Sequence, residues 1–231
     1  MVLELLGEVS KGFLFAFATL LPILNPAATA PIFLGLTEGA SDATRAALAR
    51  RIARNMVALL LGSMVVGSYL LDVFGISLPI VRVGGGLIVA SMAWRLLNVS
   101  HATLDSRTEL TEGFTPDMAR RQAFYPLTFP VSCGPGSIAA AITVGVALAD
   151  NRITVSLAHI GGGTLALLSI GVILYLAFRY AQRLLKPLGD AGTLIFLRLS
   201  AFILLCLGIQ IVWDGVSELL GNLLNGAVPN R

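Results

Sequence analysis

From Ile153 to Phe178 the chain runs for 26 residues without one Asp, Glu, Lys or Arg. Coiled as a helix, a segment of that length rises about 39 Å, more than the roughly 30 Å of hydrocarbon in a bilayer. Five further apolar runs behave alike: Gly12 to Leu36, Asn55 to Leu71, Pro79 to Leu97, Ala123 to Leu148 and Thr193 to Val212. Six spans with short loops use up all 231 residues, which leaves no length for a water-soluble domain and excludes a soluble enzyme on a tail anchor. Only 13% of side chains are charged, against about 25% in a soluble chain. The runs are continuous, not segments of about 10 residues with alternating polarity, so a membrane β-barrel is also excluded. The expected fold is an all-α integral membrane protein with six transmembrane helices.

The formal charge of +3 comes from cations in the loops between spans, a pattern of membrane topology and not of nucleic-acid binding. Of the 16 Lys and Arg residues, 11 follow the first, third and fifth spans, and three (Lys11, Arg152 and Arg231) lie on the opposite side. The positive-inside rule then predicts both termini outside the cytoplasm. The first run has the length of a signal-peptide core, and Ala28-Thr29-Ala30 imitates a cleavage site. Glu4 and Glu8 in the leader, Pro31 after the imitated cut and the apolar run resuming at Ile32 argue that this segment is a retained span. Cys133 and Cys206 both fall inside apolar stretches, where free cysteine packs as a small hydrophobe, so neither a disulfide nor a metal site is expected. No cofactor motif is present: the glycine runs Gly84 to Gly86 and Gly161 to Gly163 follow no strand and read as close-packing surfaces.

The two halves of the chain echo each other. Spans one and four are interrupted in mid-run at Asn25-Pro26 and at Gly134-Pro135, 109 residues apart, and spans three and six carry early arginines, Arg82 and Arg198, 116 residues apart. Three spans per half is an odd number, so the second half enters the membrane from the opposite face. The expected organisation is a first three-helix repeat over residues 1–100, a cytoplasmic loop over 101–121 and a second, inverted three-helix repeat over 122–231. Paired Gly/Pro-interrupted spans at matching positions of an inverted repeat point to a transporter binding site.

The chemistry of such breaks follows from the backbone. Proline at the first position of a new helix costs nothing, since its missing N–H would be unpaired there anyway. Asn25 is expected to cap a half-helix beginning at Pro26, and Gly134 to allow the equivalent turn before Pro135 and Gly136. Each break aims N–H groups and the positive end of a helix dipole into the bundle, and frees carbonyls on the other side. A carboxylate satisfies the first and an ammonium the second, so a zwitterionic amino acid held between two facing breaks near the midplane satisfies both. Thr29, Ser132 and Ser137 lie within a turn of the breaks and are candidate hydroxyl contacts. Arg82 and Arg198, at opposite faces of an inverted repeat, are candidate matched gates, structural anchors or substrate contacts. His159 is the mid-range titratable group of the fifth span, a packing histidine or a candidate proton site. No carboxylate is expected at a span centre, which leaves the coupling ion, proton or sodium, open.

The segments Leu21-Pro22-Ile23-Leu24-Asn25-Pro26 and Ala30-Pro31-Ile32-Phe33, with the arginine cluster Arg45 to Arg54, resemble the opening of the MarC family. Phe74-Gly75-Ile76-Ser77-Leu78, Val81-Arg82-Val83-Gly84-Gly85-Gly86 and the stretch from Tyr125-Pro126-Leu127 to Gly134-Pro135-Gly136 extend the resemblance over nearly the whole chain. It implies a six-helix bacterial or archaeal inner-membrane protein, similar to the LysE-type exporters, in a family whose members include transporters of glycine, alanine and other small neutral amino acids. Where members of that family often carry an Asp–Pro pair at the first break, this chain has Asn25-Pro26, an equally good cap without the charge.

The function expected on these grounds is secondary transport of small neutral amino acids by alternating access, with the lipid bilayer as solvent and homo-oligomerisation left open. The alternative is a membrane subunit or regulator that carries no flux of its own. An intramembrane enzyme would need a convergent nucleophile, base or metal set, and none is visible with His101 and His159 as the two histidines.

Overall fold

Prolines and glycines decide where this helical chain is cut. The computed structural model describes residues 2–37, 40–98, 123–150 and 152–224, and among them every regular element is a helix. Helices α1 (Val2–Leu24) and α2 (Pro26–Leu36) meet at Asn25, and α3 (Asp42–Phe74) leads into α4 (Leu78–Leu97). An irregular helical segment, Ala123–Ser132, precedes α5 (Pro135–Ala147) and α6 (Ile153–Arg179). The five-residue α7 (Ala181–Leu185) and a single 3₁₀ turn, Lys186–Leu188, then connect to α8 (Gly189–Leu224). The expected loop over 101–121 lies outside the described residues.

Three described stretches are long and apolar enough to cross a membrane: Glu4–Leu34, Ile153–Arg179 and Leu194–Leu224. Leu78–Ser91 and Pro135–Ala147 are shorter apolar helices. Two elements begin well before the hydropathy boundaries. Helix α1 starts at Val2 instead of Gly12, and α3 at Asp42 instead of Asn55. In α3 the four arginines from Arg45 to Arg54 depress local hydropathy, yet Leu48, Ile52, Met56 and Leu60, spaced every four residues, form one fully buried stripe. Ser41 caps that helix, its Oγ accepting the Thr44 amide at 3.2 Å. Helix α3 ends at Gly75, whose φ of +64° is a left-handed C-cap, with the Ile76 amide reaching back to Leu71 O at 2.9 Å.

The helices approach through glycine. Helices α4 and α8 lie against each other where Gly86 faces Gly208, and a Cβ on Gly208 would sit 2.6 Å from the Ala90 amide nitrogen. Helices α1 and α6 meet where Gly12 and Gly162 pack on each other's backbones, a Cβ on Gly162 lying 2.6 Å from Phe13 N. Gly85 and Gly163 are likewise hemmed in, whereas Gly84 and Gly161 face open space. Between these crossings Phe33 of α2 stacks on Phe178 of α6, ring centroids 4.5 Å apart.

Enlarging a glycine at a crossing should therefore cost more than enlarging its neighbour. Gly208→Leu is expected to destabilise the detergent-purified protein by about 1–3 kcal/mol, as overpacking does, while Gly84→Ala leaves its melting temperature nearly unchanged. Equal losses in thermal unfolding of the two variants would refute the assigned crossing.

Candidate functional site

Asn25 is the hinge of the first interruption. Its φ of +41° is left-handed, a conformation that costs most L-residues about 1–2 kcal/mol but that Asn tolerates. One residue closes α1 and opens α2: the Asn25 amide bonds to Leu21 O at 3.0 Å, and its Oδ1 accepts the Ala28 amide at 3.2 Å. The Asn25 carbonyl takes the Ala28 and Thr29 amides, each at 3.1 Å. Buried Thr29 turns its hydroxyl inward to the backbone, 3.2 Å from both Asn25 O and Pro26 O. Across the bundle, Asn25 Nδ2 comes within 3.5 Å of Ser200 O on α8.

The second interruption is longer and built on a four-residue repeat, Tyr125-Pro126-Leu127-Thr128 and Phe129-Pro130-Val131-Ser132. Tyr125 (φ −118°, ψ 125°) and Phe129 (φ −117°, ψ 123°) are extended because each precedes a proline, whose ring excludes the helical conformation for the residue before it. Side chains also bond back onto this backbone. Thr128 Oγ1 donates to Ala123 O at 2.6 Å, and Ser132 Oγ to Leu127 O at 2.7 Å, both five residues back. Gly134 is extended (φ −90°, ψ 178°), α5 starts at Pro135, and no side chain caps its first turn. Gly134, Gly136 and Ser137 are buried there. The N-terminal end of α5 therefore presents its backbone dipole uncapped by any side chain, whereas α2 has the Asn25 amide across its own.

Each break opens onto a cavity. Asn25 and Pro26, with Leu21, Pro22 and the far ends of α6 and α7, line a largely apolar space of about 580 Å³. Gly136 lines a space of about 400 Å³ between α1, α4, α5 and α8, whose polar lining comes from Thr19, Arg82, Thr143, Gln210 and Asp214. On α8 the first cavity touches Phe196 and the second Leu207 to Asp214, so they lie toward opposite ends of that helix, about 16 Å apart at the nearest. Neither cavity is lined by both breaks, which departs from the single shared cavity expected. The turn of α1 just before Asn25 stands between them, with Ile23 on one, Leu21 and Pro22 on the other, and Leu20 and Leu24 buried.

The charged candidates are not equivalent. Arg82, 24% exposed, forms an ion pair with Glu218 of α8, a carboxylate partner and not a helix carbonyl. Arg198 is exposed and pairs with nothing among the described residues. His159 Nε2 lies 2.7 Å from Glu8 Oε2, and Lys11 Nζ lies 2.9 Å from Glu8 Oε1. Glu8 and Asp214 lie beyond the hydropathy boundaries at Gly12 and Val212, and the structure draws both into helices, α1 beginning at Val2 and α8 continuing to Leu224. The four-residue spacing of Gln210, Asp214 and Glu218 was the signal available for the latter. No cluster of three or more His, Cys, Asp or Glu suited to a metal occurs among the described residues.

The sequence profile of the MarC family of integral membrane proteins matches residues 10–220. An inner membrane protein MarC of Escherichia coli is 28% identical over 215 residues, covering 92% of this chain and 97% of the relative. That of Shigella flexneri matches to the same extent. No solved structure matches.

The double capping role of Asn25 sets an order among its substitutions. Asn25→Ala loses the side-chain cap, worth about 1 kcal/mol, and adds left-handed strain of about 1–2 kcal/mol; Asn25→Gly loses little on either count. Denaturant unfolding in detergent should rank native above Gly above Ala, and indistinguishable Ala and Gly variants would contradict the assigned hinge.

Proposed function

The chain belongs to the MarC family of integral membrane proteins, and we propose that it is a secondary transporter moving small neutral amino acids such as glycine and alanine across the inner membrane. The observation that carries this reading is the pair of cavities at opposite ends of the bundle, each reaching one of two interrupted helices and separated by one turn of α1. A solute that is admitted to one cavity and released from the other needs only that turn and its neighbours to shift, which is alternating access. In this reading Asn25, Pro26, Thr29 and the segment Ser132 to Ser137 hold the cargo between half-helix ends. Its carboxylate meets N–H groups and its ammonium meets carbonyls freed by the prolines. No covalent step is involved.

The inverted repeat belongs to the same proposal, and the packing supports it. If Ala123–Ser132, α5, α6 and α8 are the counterparts of α1, α2, α3 and α4, packing partners should exchange in pairs. Helix α1 packs on α6 and the proline segment on α3; α5 packs on α3 and α4, and α2 on α6 and α8; α4 packs on α8. With six spans and the arginines of α3 facing the cytoplasm, both termini lie outside. The cavity beside Arg82 then opens outward and the cavity at Asn25 inward. A coupling proton would be carried on the Glu8–His159 pair, the outward-end site where an imidazole and a carboxylate already share a hydrogen bond.

Counterflow in proteoliposomes with labelled glycine, alanine, serine and threonine, at two pH values and with or without sodium, tests the reading. Saturable exchange is expected for the wild type. Asn25→Ala and Gly134→Leu should each abolish it while still inserting into the membrane, and normal exchange by both variants would place the site elsewhere. His159→Gln should flatten any pH dependence of the rate.

A further inference from the structure

The cavity beside Arg82 has a polar mouth that the two breaks do not use. On α8, Gln210, Asp214 and Glu218 recur every four residues and share one face, and Gln210 Nε2 donates to Asp214 Oδ1 at 2.7 Å. Arg82 packs beside that face and lines the same cavity as Gln210 and Asp214. Its Cβ is 3.1 Å from the position a side chain on Gly215 would take, and its guanidinium is paired with Glu218. The charges do not balance. Arg82 is answered by Glu218, whereas the side-chain partner of Asp214 among the described residues is a neutral carboxamide. Asp214 is exposed at the mouth of the cavity, and a carboxylate with no cation beside it among the described residues is free to take an ammonium.

Depth separates this mouth from the break. Gly136 is level with Gly85 and Val89 of α4, since a Cβ on it would lie 3.2 Å from Gly85 O and also strike Val89. That is one to two helical turns deeper than Arg82, or about 5–10 Å. The ammonium and carboxylate of an α-amino acid are held on one carbon and cannot reach both levels at once.

We propose that the mouth is a docking station for the zwitterionic cargo, separate from the breaks: Asp214 takes the ammonium, and Arg82 takes the carboxylate by exchanging Glu218 for it. The cargo then moves one to two turns inward to the end of α5. This inference rests on the amino acid reading above but names groups which that reading leaves idle.

Its distinguishing consequence is a difference of sign. If the cargo carboxylate competes with Glu218 for Arg82, removing the competitor frees the arginine, so Glu218→Gln lowers KM for alanine entry into proteoliposomes. Arg82→Gln and Asp214→Asn raise it by about tenfold, the usual worth of a charge-assisted contact, with kcat largely retained and Asp214→Glu restoring capture. A merely structural ion pair would make Arg82→Gln and Glu218→Gln shift KM in the same direction, and that result, or a wild-type KM in Asp214→Asn, overturns the proposal. Should Asp214→Asn fail to fold, judged by gel filtration and circular dichroism, the signs of the Arg82 and Glu218 variants decide alone. Absence of any amino acid flux in the wild type takes down the transport reading and the docking station together, whereas normal wild-type flux with unmoved variants removes only the station.

Discussion

Every backbone N–H and C=O inside hydrocarbon must find a partner within the protein, and this chain places ten prolines among its 231 residues. The fold depends on how the resulting deficits are met. Along Ala123–Ser132 two hydroxyls, of Thr128 and Ser132, reach back five residues to the carbonyls of Ala123 and Leu127. At the end of α2 the carbonyl of Thr37 accepts the Arg45 guanidinium at 3.2–3.3 Å. At Asn25 one carboxamide and one left-handed residue close one helix and start the next. Each of these would cost about 1–3 kcal/mol if left unmade, so the local sequence around each proline is dictated more tightly than its hydropathy suggests.

The same economy shapes the spaces between helices. Lipid offers no hydrophobic reward for bringing apolar faces together, and association relies on close backbone approach. Gly86 against Gly208 and Gly12 against Gly162 bring two helix pairs nearly to backbone contact. The interrupted elements are short and irregular where they cross these pairs. They cannot fill the bundle evenly, and a cavity is left beside each interruption. Tight crossings and open cavities are thus two outcomes of one packing rule.

Much of this was legible in the residues, and what was not has identifiable causes. The Asn25 cap and the restart at Pro135 follow from local stereochemistry, which a sequence carries in full, whereas of the two glycine runs Gly85, Gly86, Gly162 and Gly163 pack closely and Gly84 and Gly161 do not. The beginning of α3 was hidden because Arg45 to Arg54 lower the hydropathy of a stretch whose other face is a buried Leu48–Leu60 stripe. The early start of α1 was hidden by Glu4 and Glu8. The late end of α8 was hidden by Asp214 and Glu218. The boundaries of α1 and α8 concealed partners far apart in the chain: Glu8 with His159, 151 residues away, and Arg82 with Glu218, 136 residues away. No periodicity reveals such pairs. Nor could spacing predict that the two early arginines differ, one paired and one exposed, since that depends on which helix lies opposite.

The distribution of charge along the Arg82 cavity has a physical logic under the proposed transport. A formal charge at the centre of the bundle would carry a desolvation penalty of several kcal/mol that persists whenever the site is empty. Half-helix ends avoid that penalty, because their dipoles act only over the first turn and are partly met by caps and carbonyls. Charged groups near a helix end remain close to water, so Arg82, Asp214 and Glu218 avoid most of that penalty whether or not a solute is present. A zwitterion is then best captured by full charges at the rim and best held by neutral dipoles within.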